Sequence, residues 1–291
     1  MSDARCAMPD SQQNIESVPT PHASRITASD HLQLRVHGDN SLPTLIHLPG
    51  LHGDWTLLGP FRAALGGRAR FVESTYPRQL DWSIDDYADA IEAALLGHGI
   101  TSGWILGESF SSLVAWQFLA RQQAPDRPAA FKVTGLILVG GFVRHPWPWA
   151  VRLAHSTSRI VSLKLLRHLC KLYGRTARRR YCDCPEVVAE LDEFVERRTI
   201  EPDRQVITRR YGLISENDPR SIARDTTLPV HQLTGAWDPI VPWWQVRPWL
   251  RRHCPGYRAS RVIWSGGHNV LLSAPLRSAN QIMDWVHEPG K

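Results

Sequence analysis

The feature of this chain that most restricts its fold is a recurring unit: a short, nearly continuous apolar run, a loop, then a stretch with helical spacing. Thr44-Leu45-Ile46-His47-Leu48 ends in Pro49-Gly50 and is followed by helical periodicity from Trp55 to Leu65. Ala69 to Glu73 precedes a helix expected over Ile84 to Leu96, and Trp104-Ile105-Leu106-Gly107 precedes one over Ser111 to Arg121. Leu136 to Val139 reads as a fourth strand of this kind. Strands that are apolar at nearly every position have no solvent face, so they are expected to pair in parallel and to be covered by helices on both sides.

The rhythm breaks between Phe142 and Thr227, where helical periodicity continues without a convincing strand. It resumes with a strand at Pro229 to Leu233, a helix near Trp243 to Arg252, a strand at Ser260 to Trp264 and a last helix from Val270 to Val286. This predicts a core built from residues 25–141 and 228–291, with a helical cap, 142–227, inserted after the fourth parallel strand. Arg25 to His37 alternates around Ser29-Asp30-His31 and suggests a first hairpin. Residues 1–24 are rich in Ser, Pro, Gln and Asp, lack a signal peptide's apolar run, and read as a disordered tail.

Composition narrows the setting. With 291 residues, 43% of them hydrophobic, the chain can bury a sizeable core. No segment approaches the roughly 20 apolar residues needed to span a bilayer. Five cysteines, an odd number without small-scaffold spacing, suggest thiols in a reducing compartment, and so a cytoplasmic protein. Lys and Arg exceed Asp and Glu by 34 to 28, a balance too mild to imply a nucleic-acid partner.

The chemistry concentrates where strands end. Gly107-Glu108-Ser109-Phe110-Ser111 sits where a strand passes abruptly into a helix, a setting that holds a serine on a strained turn with its hydroxyl above the sheet. Small residues must flank such a turn, and Ser111 stands where a second glycine is usual. A serine hydroxyl is a weak nucleophile near neutral pH; it needs a base, and the base needs a carboxylate to hold its tautomer. His268, in Ser265-Gly266-Gly267-His268-Asn269, and Asp238, in Gly235-Ala236-Trp237-Asp238-Pro239, each follow an apolar strand. The carboxyl ends of parallel strands share one edge, so three such loops can converge. Asp218 and Glu216 are rival acids, but no strand precedes them.

Through Leu48-Pro49-Gly50-Leu51-His52-Gly53, Gly107-Glu108-Ser109-Phe110-Ser111, Gly235-Ala236-Trp237-Asp238 and Gly266-Gly267-His268, the chain resembles the α/β-hydrolase superfamily over roughly residues 40–142 and 228–288. The order Ser, Asp, His along the chain is that family's order. The resemblance implies the α/β-hydrolase fold, a triad of Ser109, Asp238 and His268, and an oxyanion hole from the backbone amides of Leu51 and Phe110. It implies cleavage of a small-molecule carboxylic ester or thioester through an acyl-enzyme, with no metal or organic cofactor. Acyl transfer by the same triad, or ligand reception without turnover, are the alternatives.

Other features carry weaker readings. His52 could contact substrate or brace its loop, and Glu108 reads as a buried, hydrogen-bonded neighbour of the nucleophile. Cys182-Asp183-Cys184, with Cys170 and His168, lacks the paired gaps of a zinc site and reads as free thiols. From Arg144 to Arg180 there are ten Lys or Arg and no Asp or Glu. Ile160, Val161, Leu163, Leu165, Leu166, Leu169 and Leu172 interleave with that charge as a basic amphipathic helix. It is either a solvated outer face or a site for an acidic partner: a carrier protein, CoA, or an anionic lipid surface. Trp147, Trp149, Trp243, Trp244 and Trp249, among twelve tryptophans, could line an acyl pocket or pack the cap on the core.

Overall fold

The structure, a computed structural model, describes residues 32–124, 130–162 and 201–288, and between 163 and 200 only residues 164, 165, 168, 172, 175, 188, 189, 191, 192, 194 and 195. Its elements run β1 (Gln33–His37), β2 (Thr44–Leu48), α1 (Gly59–Leu65), β3 (Arg70–Thr75), α2 (Ile84–Gly97), β4 (Ser102–Glu108), a 3-10 turn (Ser109–Ser111), α3 (Ser112–Gln123) and β5 (Lys132–Val139). They continue with α4 (Pro148–Ile160), α5 (Glu201–Glu216), α6 (Arg220–Asp225), β6 (Val230–Gly235), α7 (Trp243–His253), β7 (Tyr257–Ile263), α8 (Val270–Ser273) and α9 (Pro275–His287).

The seven strands form one sheet in the order β1-β3-β2-β4-β5-β6-β7, parallel throughout except for β1, which runs antiparallel to β3. Side chains alternate across a strand, so each continuous apolar run feeds both faces. Ile46, Ile105, Leu136 and Leu138 pack with Tyr87, Ile91 and Leu95 of α2 and with Val114 and Leu119 of α3. Leu45, Leu106, Ile137 and Val139 pack on the other face with Phe61 and Leu65 of α1 and with Ile282, Met283 and Trp285 of α9. Each fully buried Leu or Ile contributes about 1.5–3 kcal/mol of transfer free energy, and sharing them between two faces fixes the strand in the middle layer. The expected parallel sheet with helices on both faces is therefore what forms.

Departures from expectation have local causes. Of the hairpin expected at Arg25 to His37, the described residues include only the second half. That half, β1, pairs with β3 across the register Gln33↔Thr75 to His37↔Phe71. Helix α1 starts at Gly59 instead of Trp55 because Leu57 is held at φ 77°, a value no helix accommodates. Asp54 instead closes a turn, accepting from the Thr56 amide at 3.0 Å. The last helix is two, α8 and α9, because Pro275 offers no amide and forces Ala274 out of helical geometry, to φ −148° and ψ 57°. The tail, 1–24, lies outside the described residues.

Between β5 and β6 the described elements are all helical. α4 and α5 lie together: Arg204 donates to the carbonyls of Ser158 and Arg159 at 2.8 Å each, covering the open carboxyl end of α4. α6 buries Ala223 in the same cluster as α3 and α7. No helix among the described residues is long and apolar enough to cross a membrane.

Candidate active site

The site is assembled at the carboxyl ends of β2, β4, β6 and β7. β4 carries the chain to Glu108, and Ser109 then takes φ 49°, a left-handed conformation unusual for a residue with a side chain. Helix α3 follows within three residues, so the strand reverses into it through a single strained position. Gly107 makes that possible: a Cβ there would sit 3.0 Å from Ala115 Cβ and 3.2 Å from the Ser111 carbonyl oxygen. Glu108 lies beside the turn with its carboxylate 2.9 Å from His47 Nε2, which ties β4 to β2.

His268 Nε2 lies 3.0 Å from Ser109 Oγ, and His268 Nδ1 lies 2.8 Å from Asp238 Oδ2. The other carboxylate oxygen of Asp238 accepts from the amides of Ile240 and Val241 at 2.8 and 2.9 Å. Both Asp238 oxygens are thus committed in a side chain fully shielded from solvent, while the His268 side chain keeps 15% exposure. The two loops meet because Gly235 has no side chain: a Cβ there would overlap the Gly266 and Gly267 backbone at 2.3 Å. The Trp237 amide donates to the Gly266 carbonyl at 3.1 Å, bonding acid loop to histidine loop directly. From the end of β5, Gly140 packs so close that a Cβ would lie 3.0 Å from the His268 carbonyl oxygen.

The loop after β2 passes over the serine. A Cβ on Gly50 would lie 3.6 Å from Ser109 Cβ. Residues 50–53 close a turn in which the Gly53 amide donates to the Gly50 carbonyl at 3.0 Å. Leu51 occupies that turn, and Phe110, fully buried, follows the serine. Ser111 does more than substitute for a small residue. Its buried hydroxyl donates to the Pro49 carbonyl and lies 2.6 Å from the Tyr76 phenol oxygen, so it links the elbow to the loop after β2. Burial pushes the Tyr76 phenol above its ordinary range, and it stays a donor.

The rival acids are occupied elsewhere: Asp218 pairs with Arg220 at 2.6 Å and Arg144 at 3.4 Å, and Glu216 with Arg209 at 3.2 Å. His52 makes an edge-on ring contact with Phe194 at 4.9 Å. The tryptophan cluster divides: Trp244 touches both Trp147 and Trp243, Trp149 and Trp244 are exposed, and Trp249 packs on the core. Cys170, Cys182 and Cys184, much of the basic amphipathic helix, and Arg178 to Arg180 lie outside the described residues. Among the described residues no group of three His, Cys, Asp or Glu is arranged to hold a metal.

Three side chains near the site escaped the sequence reading. His145 Nδ1 accepts from the Trp147 amide at 3.2 Å. Burial holds its pKa below the usual histidine value, against the opposing effect of the neighbouring Trp147 and Ile240 backbone. Tyr76 and Arg210 meet the loop after β2. Arg210 had a signal, since it shares one helical face with Val206, Leu213 and Ile214, all buried.

No family model and no curated protein matches the chain. Its architecture is shared by solved structures at low identity. A thermophilic esterase from Thermogutta terrifontis is 20% identical, covering 89% of this chain and 94% of its own, with TM-score 0.69. The enol-lactonase from Burkholderia xenovorans LB400 is 18% identical, covering 88% and 96%, with TM-score 0.67. An alpha/beta hydrolase from a Medee basin deep-sea metagenome library is 13% identical, covering 88% and 94%, with TM-score 0.69.

Proposed function

We propose that this chain, which has the α/β-hydrolase fold, is a serine hydrolase that cleaves a carboxylic ester or thioester through an acyl-enzyme on Ser109. One observation carries the reading: a serine in strained backbone geometry, hydrogen-bonded to a histidine whose other nitrogen meets a buried, doubly anchored aspartate. His268 takes the Ser109 proton as Oγ attacks the carbonyl carbon, and the amides of Leu51 and Phe110 receive the oxyanion. The imidazolium then protonates the leaving oxygen or sulfur as the tetrahedral adduct collapses to the acyl-enzyme. Water, deprotonated by the same His268, attacks that ester and releases the acid, with Asp238 stabilising the imidazolium in both steps. The esterase and lactonase activities named for the structural neighbours agree with this chemistry.

The segment 142–227 acts in this reading as a cap that shapes the substrate pocket, with Trp147, Trp243 and Trp244 supporting an apolar acyl site. Arg152 and Arg159, exposed on α4, support an acidic partner at the cap, and the thiol reading of the cysteines supports a cytoplasmic setting. Labelling by a fluorophosphonate probe, comparing wild type with Ser109→Ala and His268→Ala, tests the nucleophile, and p-nitrophenyl esters of increasing chain length size the pocket. Labelling confined to wild type, with ester turnover, is the expected result. Folded wild-type protein that neither labels nor turns over would exclude the hydrolase and leave ligand reception by the same fold.

A further inference from the structure

Arg210, on α5, is buried to 1% exposure in a position that touches both halves of the proposed oxyanion hole. Its Nη1 donates to the Leu51 carbonyl at 2.8 Å, and its Nε donates to the Tyr87 phenol at 3.2 Å. Its guanidinium carbon lies 5.3, 5.6 and 5.8 Å from the ring centroids of Tyr76, Tyr87 and Phe110. Phe110 supplies the second proposed oxyanion donor, so one cation bonds the loop that carries Leu51 and stacks near the residue that follows the nucleophile.

The loop is built around this side chain. Gly53 sits at φ 77°, and a Cβ there would lie 2.3 Å from Arg210 Nη1, so glycine is required both for the backbone and for the guanidinium. The Gly50 carbonyl is held inside the turn by the Gly53 amide, and the Gly53 carbonyl accepts from the Tyr76 amide at 2.8 Å. A trans peptide sets its N–H opposite its C=O, so the Leu51 amide faces out of the turn. What the turn's own bond leaves open is where the turn sits relative to Phe110, and Arg210 anchors it by bonding the Leu51 carbonyl on the following peptide. Among the described residues its partners are neutral: a carbonyl, a phenol and aromatic faces. A methionine would fill that volume without the desolvation cost of a buried cation, which sets Arg210 apart from a space-filling anchor.

We infer that Arg210 is a positioning residue that holds the Leu51 amide in register with the Phe110 amide, so that the helical insertion between β5 and β6 controls the oxyanion hole. The inference rests on the serine-hydrolase reading. It predicts a defect in transition-state stabilisation without a matching defect in substrate binding. Arg210→Met should lower kcat about ten- to a hundredfold, short of the hundred- to thousandfold of deleting an oxyanion donor outright, with KM nearly unchanged. Binding of a trifluoromethyl ketone, which forms the tetrahedral oxyanion on Ser109, should weaken by the same factor as kcat/KM. Binding of the product acid should not change. Arg210→Lys should recover part of the loss, since an ammonium can reach one acceptor but cannot form the fork. Tyr87→Phe, which deletes only the partner of Nε, should show a smaller loss of the same kind and stands in if Arg210→Met does not fold. Wild type that turns over ester while folded Arg210→Lys and Tyr87→Phe retain kcat, or lose activity only through KM, would overturn the inference. Wild type without ester turnover would instead overturn the hydrolase reading.

Discussion

Replacing Asp238 with asparagine tests the role proposed for it, because the structure dictates which way the new amide must face. The Ile240 and Val241 amides both donate to Oδ1, at 2.8 and 2.9 Å. Turning an NH2 toward them would leave buried donors unpaired at about 1–3 kcal/mol each, so the amide oxygen must stay at that position. The NH2 group then replaces Oδ2, 2.8 Å from His268 Nδ1. Facing a donor, Nδ1 must become the acceptor, which moves the imidazole proton to Nε2, 3.0 Å from Ser109 Oγ. The group that should take the serine proton now offers one. The expected loss in kcat is about 10⁴-fold, equivalent to about 5.4 kcal/mol, with the fold intact because every hydrogen-bonding position remains filled. Steady-state hydrolysis of p-nitrophenyl butyrate near neutral pH, with thermal unfolding of both proteins, measures it. A folded Asp238→Asn protein that kept a tenth of wild-type kcat would refute the tautomer reasoning and the assignment of Asp238.

Two further outcomes follow from packing and burial. Gly107→Ala should destabilise the protein by about 1–3 kcal/mol in urea unfolding and depress turnover, because its Cβ would press on Ala115 and on the backbone of Ser111 and Ser112, moving the serine turn. Its failure to affect either would show that the elbow relaxes freely. His231, fully buried and stacked on Trp285 at 4.7 Å, has its pKa pushed down to about 4 by burial, with Arg258 adding to the effect. The unfolded chain takes up that proton near the ordinary histidine value of 6.5, so the ring's contribution is complete above that pH and disappears as pH falls through 4. That gap corresponds to about 3 kcal/mol, so urea stability should fall by that much more in wild type than in His231→Phe between pH 7 and 4. Parallel pH profiles would remove His231 as the source.

Ser109, Asp238 and His268 were readable because each follows a short apolar strand and is flanked by glycine or another small residue, so local chemistry marked them. Even there the sequence could not choose His268 over twelve other histidines except through its place after a strand. The function of Ser111 was hidden, since a small residue in a first helical turn reads the same whether it caps, packs or bonds a carbonyl on another strand. Arg210 lies 159 residues from Leu51, and no pattern within α5 specifies that partner. His145 likewise meets the acid loop only because the chain after β5 returns beside β6.

The sequence by itself determined the alternation of strand and helix, the mainly parallel sheet with two covered faces, and the order in which Ser109, Asp238 and His268 appear at strand ends. These depend on periodicity and on neighbours a few residues apart, which the chain carries wherever it goes. Tertiary structure decided which polar groups meet, because a hydrogen bond forms only when donor and acceptor come within about 3 Å in line. The strand order β1-β3-β2-β4-β5-β6-β7 and the seating of α5 against the loop after β2 set those distances, and they join residues that no local spacing connects.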